Sequence, residues 1–206
     1  MLFRSNAKFD ELINHLGGTS VSGGKLKTTK TTPFQTNCGL WLPPNAGATN
    51  EVNFAAVGSG ARQQGTGNFI AINNYANYWS TTLINASAAR AYILFSTLSV
   101  FQQGGGLIQG GNSIRLVRPA TIQEQNNLPD GTTSNQNTLL LHYLGNDGRE
   151  YITVKIGNQV WIAQNLMETL YNNGNSMPEV TDGSIWVGLR SEEHTSELQS
   201  PCNLVC

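Results

Sequence analysis

The sequence predicts an α+β protein, mostly short antiparallel strands and long loops with one clear helix. Three observations predict it. Residues 6–18 carry helical periodicity. Residues 78–118 and 151–162 hold β-branched and aromatic runs broken by turn signals. The 206-residue chain also contains 22 glycines with many Asn, Ser and Thr, which makes it turn-rich.

The helix comes first. Phe9, Leu12, Ile13 and Leu16 recur at i, i+3, i+4, i+7, which places them on one apolar face. Asn6 is a candidate cap, Asp10 and Glu11 suit the first turn, and Gly17-Gly18 ends the segment. His15, near that end, reads as a surface residue rather than a ligand. Residues 19–76 show little periodicity and read as long ordered loops. Leu26, Phe34, Leu40, Trp41, Leu42, Phe54 and Phe69 would pin them. Lys25, Lys27 and Lys30 form a short basic cluster without flanking aromatics, read as solvated loop.

Strands follow. Tyr78-Trp-Ser-Thr-Thr82 opens the segment, with Tyr78 and Trp79 expected in the core. Ala91–Phe95 is strand-like, 102–111 reads as a turn, and Ser113–Arg118 is a final strand stopped by Pro119. Residues 119–138 are polar and lack anchors, so they read as a linker, extended to 145 by the domain boundaries below. Two alternating runs then flank Gly157-Asn158, a two-residue hairpin signal within 151–162. Gln164–Leu170 suits a short helical turn, 171–174 a turn, and 177–180 an extended piece.

The two ends differ in character from the rest. Leu2-Phe-Arg-Ser5 and Arg190-Ser-Glu-Glu-His-Thr-Ser-Glu-Leu-Gln-Ser200 back-translate to sequences resembling the two arms of a short-read sequencing adapter. Residues 1–5 and 190–206 are therefore expected to be translated adapter, and the gene between them a fragment open at both ends. Removing Arg4 and Arg190 lowers Lys+Arg from 12 to 10; removing Glu192, Glu193 and Glu197 lowers Asp+Glu from 13 to 10. A neutral insert has no basic field for nucleic acid or an anionic membrane. Only Cys38 stays once Cys202 and Cys206 are set aside, which excludes a disulfide framework or a Cys-rich metal site. No apolar run approaches the ~20 residues of a membrane span.

Catalytic motifs are missing from the sequence. His15 and His142 lack metal-ligand spacing, and there is no G-x-S-x-G elbow. Gly104-Gly105-Gly106 lacks the lysine and helix of a phosphate loop, and Asp130-Gly131 and Asp147-Gly148 lack the further acids of a calcium loop. The carboxylates are scattered. No metal, cofactor or catalytic residue is expected, and the chain reads as a non-catalytic binding or structural module.

Several segments in order carry a resemblance. Asn6-Ala-Lys-Phe-Asp-Glu-Leu12 with Leu16-Gly-Gly18, Gly23-Gly-Lys-Leu-Lys27, Ala48-Thr-Asn50, Asn53-Phe-Ala-Ala56, Tyr78–Thr82 and Ser113–Val117 resemble the C-terminal two-thirds of the Fibrobacter succinogenes major paralogous domain. Asn146–Leu166, with Tyr171-Asn-Asn-Gly174 and Met177-Pro178, resembles that domain's beginning. The resemblance implies residues 6–118 from one copy, a linker over 119–145, and residues 146–189 opening a second, a slice through a tandem array. It further implies a C-type-lectin-like α+β fold, incomplete in both copies, on an exported or cell-surface bacterial protein. The enzymes of the wider fold use active-site cysteines near their C-terminal end, and 78–118 has none.

The function implied is recognition of a glycan or cell-surface protein through residues 83–112. Asn85, Arg90, Tyr92, Phe101, Gln102, Gln103 and Gln109 mix aromatic bodies with amide and guanidinium donors, which suits sugar stacking and polar contacts. Two alternatives stand beside it: a retroelement-diversified receptor in which 83–112 varies between siblings, and a structural repeat of a surface adhesin. One architectural expectation follows. Copy one keeps its last strand but not its first, and copy two keeps its opening hairpin. Either 151–156 or 159–162 should therefore pair in cis with 113–118, turning Ile152, Val154 and Ile156 toward the helix beside Ile114 and Leu116 or Val117.

Overall fold

The computed structural model describes residues 5–32 and 40–188. In chain order its elements are α1 (Asn6–His15), α2 (Thr19–Leu26), β1 (Ala61–Arg62), β2 (Phe69–Ile70), β3 (Tyr75–Asn85), β4 (Ala88–Phe95), β5 (Phe101–Leu107), β6 (Val117–Pro119), α3 (Ile122–Asn127), β7 (Tyr143–Leu144), β8 (Glu150–Tyr151), β9 (Thr153–Ile156), β10 (Gln159–Ile162) and α4 (Gly183–Gly188). The fold is mixed α and β, with mostly short antiparallel strands and few helices. Two three-stranded antiparallel sheets, β3-β4-β5 and β6-β10-β9, are joined by two small two-stranded ones, β1-β2 and β7-β8. The adapter-like stretches at 1–4 and 190–206, and Phe34, lie outside the described residues.

α1 matches its periodicity. Phe9, Leu12 and Ile13 are buried, and the Gly18 N–H closes the helix on the Ile13 carbonyl at 2.9 Å. Ser5, not Asn6, occupies the N-cap. The Asn6 amide oxygen instead accepts from the Thr82 hydroxyl at 2.8 Å, tying α1 to β3. α1 is not alone among the helices, as periodicity had implied. α2 escapes that test because its centre is Ser22-Gly23-Gly24, where glycine serves close approach. A Cβ at Gly23 would sit 2.1 Å from the Val100 carbonyl oxygen, and one at Gly24 would sit 2.2 Å from that of Gly47.

The hairpin forms as its turn chemistry predicts. Gln159 pairs with Ile156 across Gly157-Asn158, and Gly157 takes the positive φ of 56° that a primed two-residue turn needs at its first position. β10 then pairs with β6, with Trp161 opposite Val117 and Val160 opposite Arg118. The start of the second segment therefore completes the sheet of the first. Val154, Ile156, Val117 and Trp161 join Phe9, Leu12 and Ile13 in one core, with Ile152 packed against it. Phe9 is its hub: its ring stacks on Tyr92 at 4.5 Å and lies 5.1 Å from Trp161 and 5.9 Å from Phe101.

Residues 119–138 are not a free linker. Thr121 and Glu124 form a reciprocal capping box that starts α3, and the Glu124 carboxylate, buried and held below its usual range by the Arg118 fork, fixes the helix to β6. Leu128 and Leu140 bury against Val160. Asp130 accepts from Lys155 Nζ and from the Gly157 N–H, both at 2.8 Å, and pairs with His15. Thr133 bridges Val154 and covers the outer edge of β9. The strand expected over 102–111 as a turn is β5, and the turn itself occupies 108–110. Ser113–Arg118 is strand only from Val117. Gln164–Leu170 is irregular, not helical.

Lys27 corrects the reading of 25–30 as solvated loop. It is fully buried, and its ammonium donates to the carbonyls of Ala46, Phe95 and Leu98 at 2.8–2.9 Å beside the Trp41 ring. Burial pushes its pKa from 10.5 down to about 8. From about pH 8 to 10.5 the unfolded chain holds this proton while the folded chain releases it, so stability rises with pH there. Tyr92 and Tyr151 act oppositely. Burial raises both, Tyr151 from 10.0 to about 12, so above pH 10 the unfolded chain loses protons first and stability falls. The urea midpoint is expected to peak at roughly pH 9–10. Lys27→Met should abolish the rising limb; a rising limb that survives this change would exclude Lys27 as its source.

Candidate ligand-binding site

The region expected to meet ligand is the β3-β4-β5 sheet with its 108–112 turn. β4 and β5 pair from Ala88 opposite Leu107 to Leu94 opposite Phe101. Alternation along the two strands sorts the expected residues onto opposite faces. Arg90, Tyr92, Phe101 and Gln103 share the face that turns to α1. Gln102 points the other way.

Two expected site residues are core residues. Tyr92 and Phe101 are both 0% exposed. The Tyr92 hydroxyl donates to Asp10 Oδ1, and Gln103 Nε2 donates to the Tyr92 oxygen at 3.0 Å. Burial first, then the bond to Asp10, raises the Tyr92 pKa. Neither ring is available for sugar stacking, because the α1 face of the sheet is the one the core claims. Asn85 is exposed, but its side chain closes its own turn by accepting the Ser87 N–H at 2.9 Å. Arg90 and Gln109 are half-buried, and Gln102 and Gln103 are exposed.

The opposite face holds a cleft of about 180 Å³. Trp79, Gly106 and Leu107 line it from the sheet, Gly110 and Asn112 from the turn, and Arg62 and Gln64 from the β1 side. Trp79 is 1% exposed, and its indole N–H has no hydrogen-bond partner. Gly106 lets β5 pack directly on the indole, since a Cβ there would lie 3.0 Å from Trp79 Cη2. Leu83, Ile84 and Leu107 are exposed at this end of the sheet. The site thus combines an apolar floor with the amides of Gln64 and Asn112, with no carboxylate among the lining residues.

Of the residues the sequence singled out, Arg90, Tyr92, Phe101 and Gln103 lie on the α1 face of β4 and β5, and none lines the cleft. Arg62, Gln64 and Trp79 lie outside 83–112, Asn112 is its last position, and the four converge only through the fold.

Arg62 borders the cleft and is itself buried. Its Nε donates to the Gly67 carbonyl at 2.8 Å, and its terminal nitrogens donate to the carbonyls of Val180, Thr181 and Asp182. Burial lowers its pKa, opposed by the nearby Asp182 charge. Among the described residues no group of three or more His, Cys, Asp or Glu could hold a metal ion, and no helix is long and apolar enough to cross a membrane. Comparisons with family models, with curated proteins and with solved structures give no match to this chain.

Proposed function

We propose that the chain is a non-catalytic binding module that recognises a glycan through the Trp79 cleft. The single observation carrying this reading is the open cleft itself, lined by the amide side chains of Gln64 and Asn112 and by Gly106, Leu107 and Gly110, with no carboxylate. Amides beside an apolar floor suit the hydroxyl-bearing and apolar surfaces of a sugar ring, and the volume suits one ring rather than an extended chain. A C-type-lectin-like module in a tandem array of paralogous domains, on the surface of a bacterium, is the setting we assign to it. The closure of β6 by β10 supports the array part of this reading, because the end of one copy and the start of the next then complete one another. The exposed Leu83, Ile84 and Leu107 favour a protein ligand as the second reading.

A glycan array probed with the 206-residue chain, followed by titration calorimetry on any hit, tests the proposal. Gly106→Val, which drives a side chain against the Trp79 ring at the cleft floor, is expected to weaken binding at least ~10-fold, and Asn112→Ala several-fold by loss of one hydrogen bond. Tyr92→Phe should leave affinity unchanged. A confirmed glycan whose affinity ignores both Gly106→Val and Asn112→Ala would remove the cleft as its site. No glycan binding, with capture of a cell-surface protein blocked by charging Leu107, would select the second reading.

A further inference from the structure

The segment 180–186 is held like a bound peptide. Three consecutive carbonyls, from Val180, Thr181 and Asp182, accept from one guanidinium. The Trp186 ring then packs on that guanidinium at 4.2 Å, and the Phe69 ring packs on it at 5.1 Å. The main chains touch: a Cβ at Gly67 would lie 2.4 Å from Gly183 Cα, and one at Gly183 would lie 2.6 Å from the Thr66 carbonyl oxygen. The segment also fixes its own shape, since Asp182 Oδ1 accepts from the N–H groups of Ser184 and Ile185 at 2.7 and 3.1 Å. Its tether adds little. Pro178 and Glu179 are exposed and make no hydrogen bond among the described residues.

Every contact that seats the segment is therefore supplied by the seat and the segment, and none by the covalent connection. We propose that the Arg62 seat, built from Arg62, Gly67 and Phe69, is a peptide-recognition site. Its ligand is the Val180–Trp186 strap, taken in cis within this chain and exchangeable in trans with the strap of a second copy. Specificity lies in three features: a run of main-chain carbonyls for the guanidinium, a glycine where the two backbones meet, and a tryptophan four residues after the aspartate. Cis occupancy dominates in the intact chain, because a short tether gives an effective concentration on the order of millimolar. Exchange is visible only where cis seating is broken.

Two variants make it visible. Trp186→Ala disables the strap and leaves the seat; Arg62→Gln disables the seat and leaves the strap. Each alone is expected to sediment as a monomer, and an equimolar mixture is expected to give a 1:1 heterodimer. A synthetic peptide of residues 178–188 is expected to bind the Trp186→Ala chain and to bind Arg62→Gln at least 10-fold more weakly. Phe69→Ala, which removes an exposed ring from the seat, serves in place of Arg62→Gln if that variant does not fold. Failure of the peptide to bind a folded Trp186→Ala chain, or equal binding to the chain with a disabled seat, would overturn the proposal. These readouts need no glycan, so they stand or fall apart from the cleft.

Discussion

Arg115→Ala is expected to lower stability by roughly 3–5 kcal/mol, enough to unfold much of the population at 37 °C. The side chain is fully buried and its donors are engaged: Nε with Asn165 Oδ1 at 2.9 Å, and the terminal nitrogens with the carbonyls of Phe54, Ile162 and Ala55 at 2.9–3.0 Å. The guanidinium also lies over the Phe54 ring at 4.7 Å. Truncation strands four buried acceptors, and each lost partner costs about 1–3 kcal/mol before relaxation. The change also frees a costly arrangement, because Asn53 and Ala55 hold positive φ of 53° and 54° in the loop that Arg115 clasps. Arg115→Lys should recover little of the loss, since one ammonium cannot serve acceptors spread around a planar fork. Urea denaturation monitored by far-UV circular dichroism measures it. A loss below ~1 kcal/mol would mean that solvent replaces Arg115 without penalty, contrary to its burial.

Trp161→Ala is the second large effect, at roughly 3–5 kcal/mol. The indole sits at the centre of the β6-β10-β9 sheet, 5.1 Å from Phe9 and 5.7 Å from Phe54, and its N–H donates to Gln159 Oε1 at 2.9 Å. Removing it opens a cavity among aromatic rings that cannot all collapse into it. The location of the damage is diagnostic. Amide exchange should rise at Val117 and Arg118, whose sheet partners are in β10, before it rises in β4. Uniform acceleration across both sheets would instead show that the two sheets unfold as one unit. Trp186→Ala, at the periphery, should cost far less.

Local chemistry was legible and its context was not. The i, i+3, i+4, i+7 pattern of Phe9–Leu16 and the Gly157-Asn158 turn are properties of a few adjacent residues, so both were readable in the sequence. That one strand of the hairpin pairs with the last strand was also readable, because two incomplete edges must find partners; that it is 159–162 and not 151–156 was not. The 119–138 segment was misread for lack of apolar anchors, although Thr121-Ile-Gln-Glu124 spells a capping box whose carboxylate meets Arg118. Tyr92 and Phe101 share a face only once β4 pairs with β5, and α1 decides that this face is the buried one. Lys27 could not be assigned to the interior, because the three carbonyls that receive it come from positions 46, 95 and 98. The cleft joins β1, β3, β5 and a turn, and no window of sequence contains it.

The β6–β10 ladder also sets a timetable for synthesis. Ile162 follows Arg118 by 44 positions, an interval of about 2–9 s at ribosomal rates of ~5–20 residues per second. During that interval Phe9 and Phe54 are already made while Trp161 is not, so the nascent chain lacks the ring that packs against both. A ribosome paused within this window holds a species suited to trigger-type holdase chaperones and prone to aggregate when they are absent. Codons that speed translation between Arg118 and Ile162 should therefore raise the soluble yield more than the same change made anywhere before residue 100.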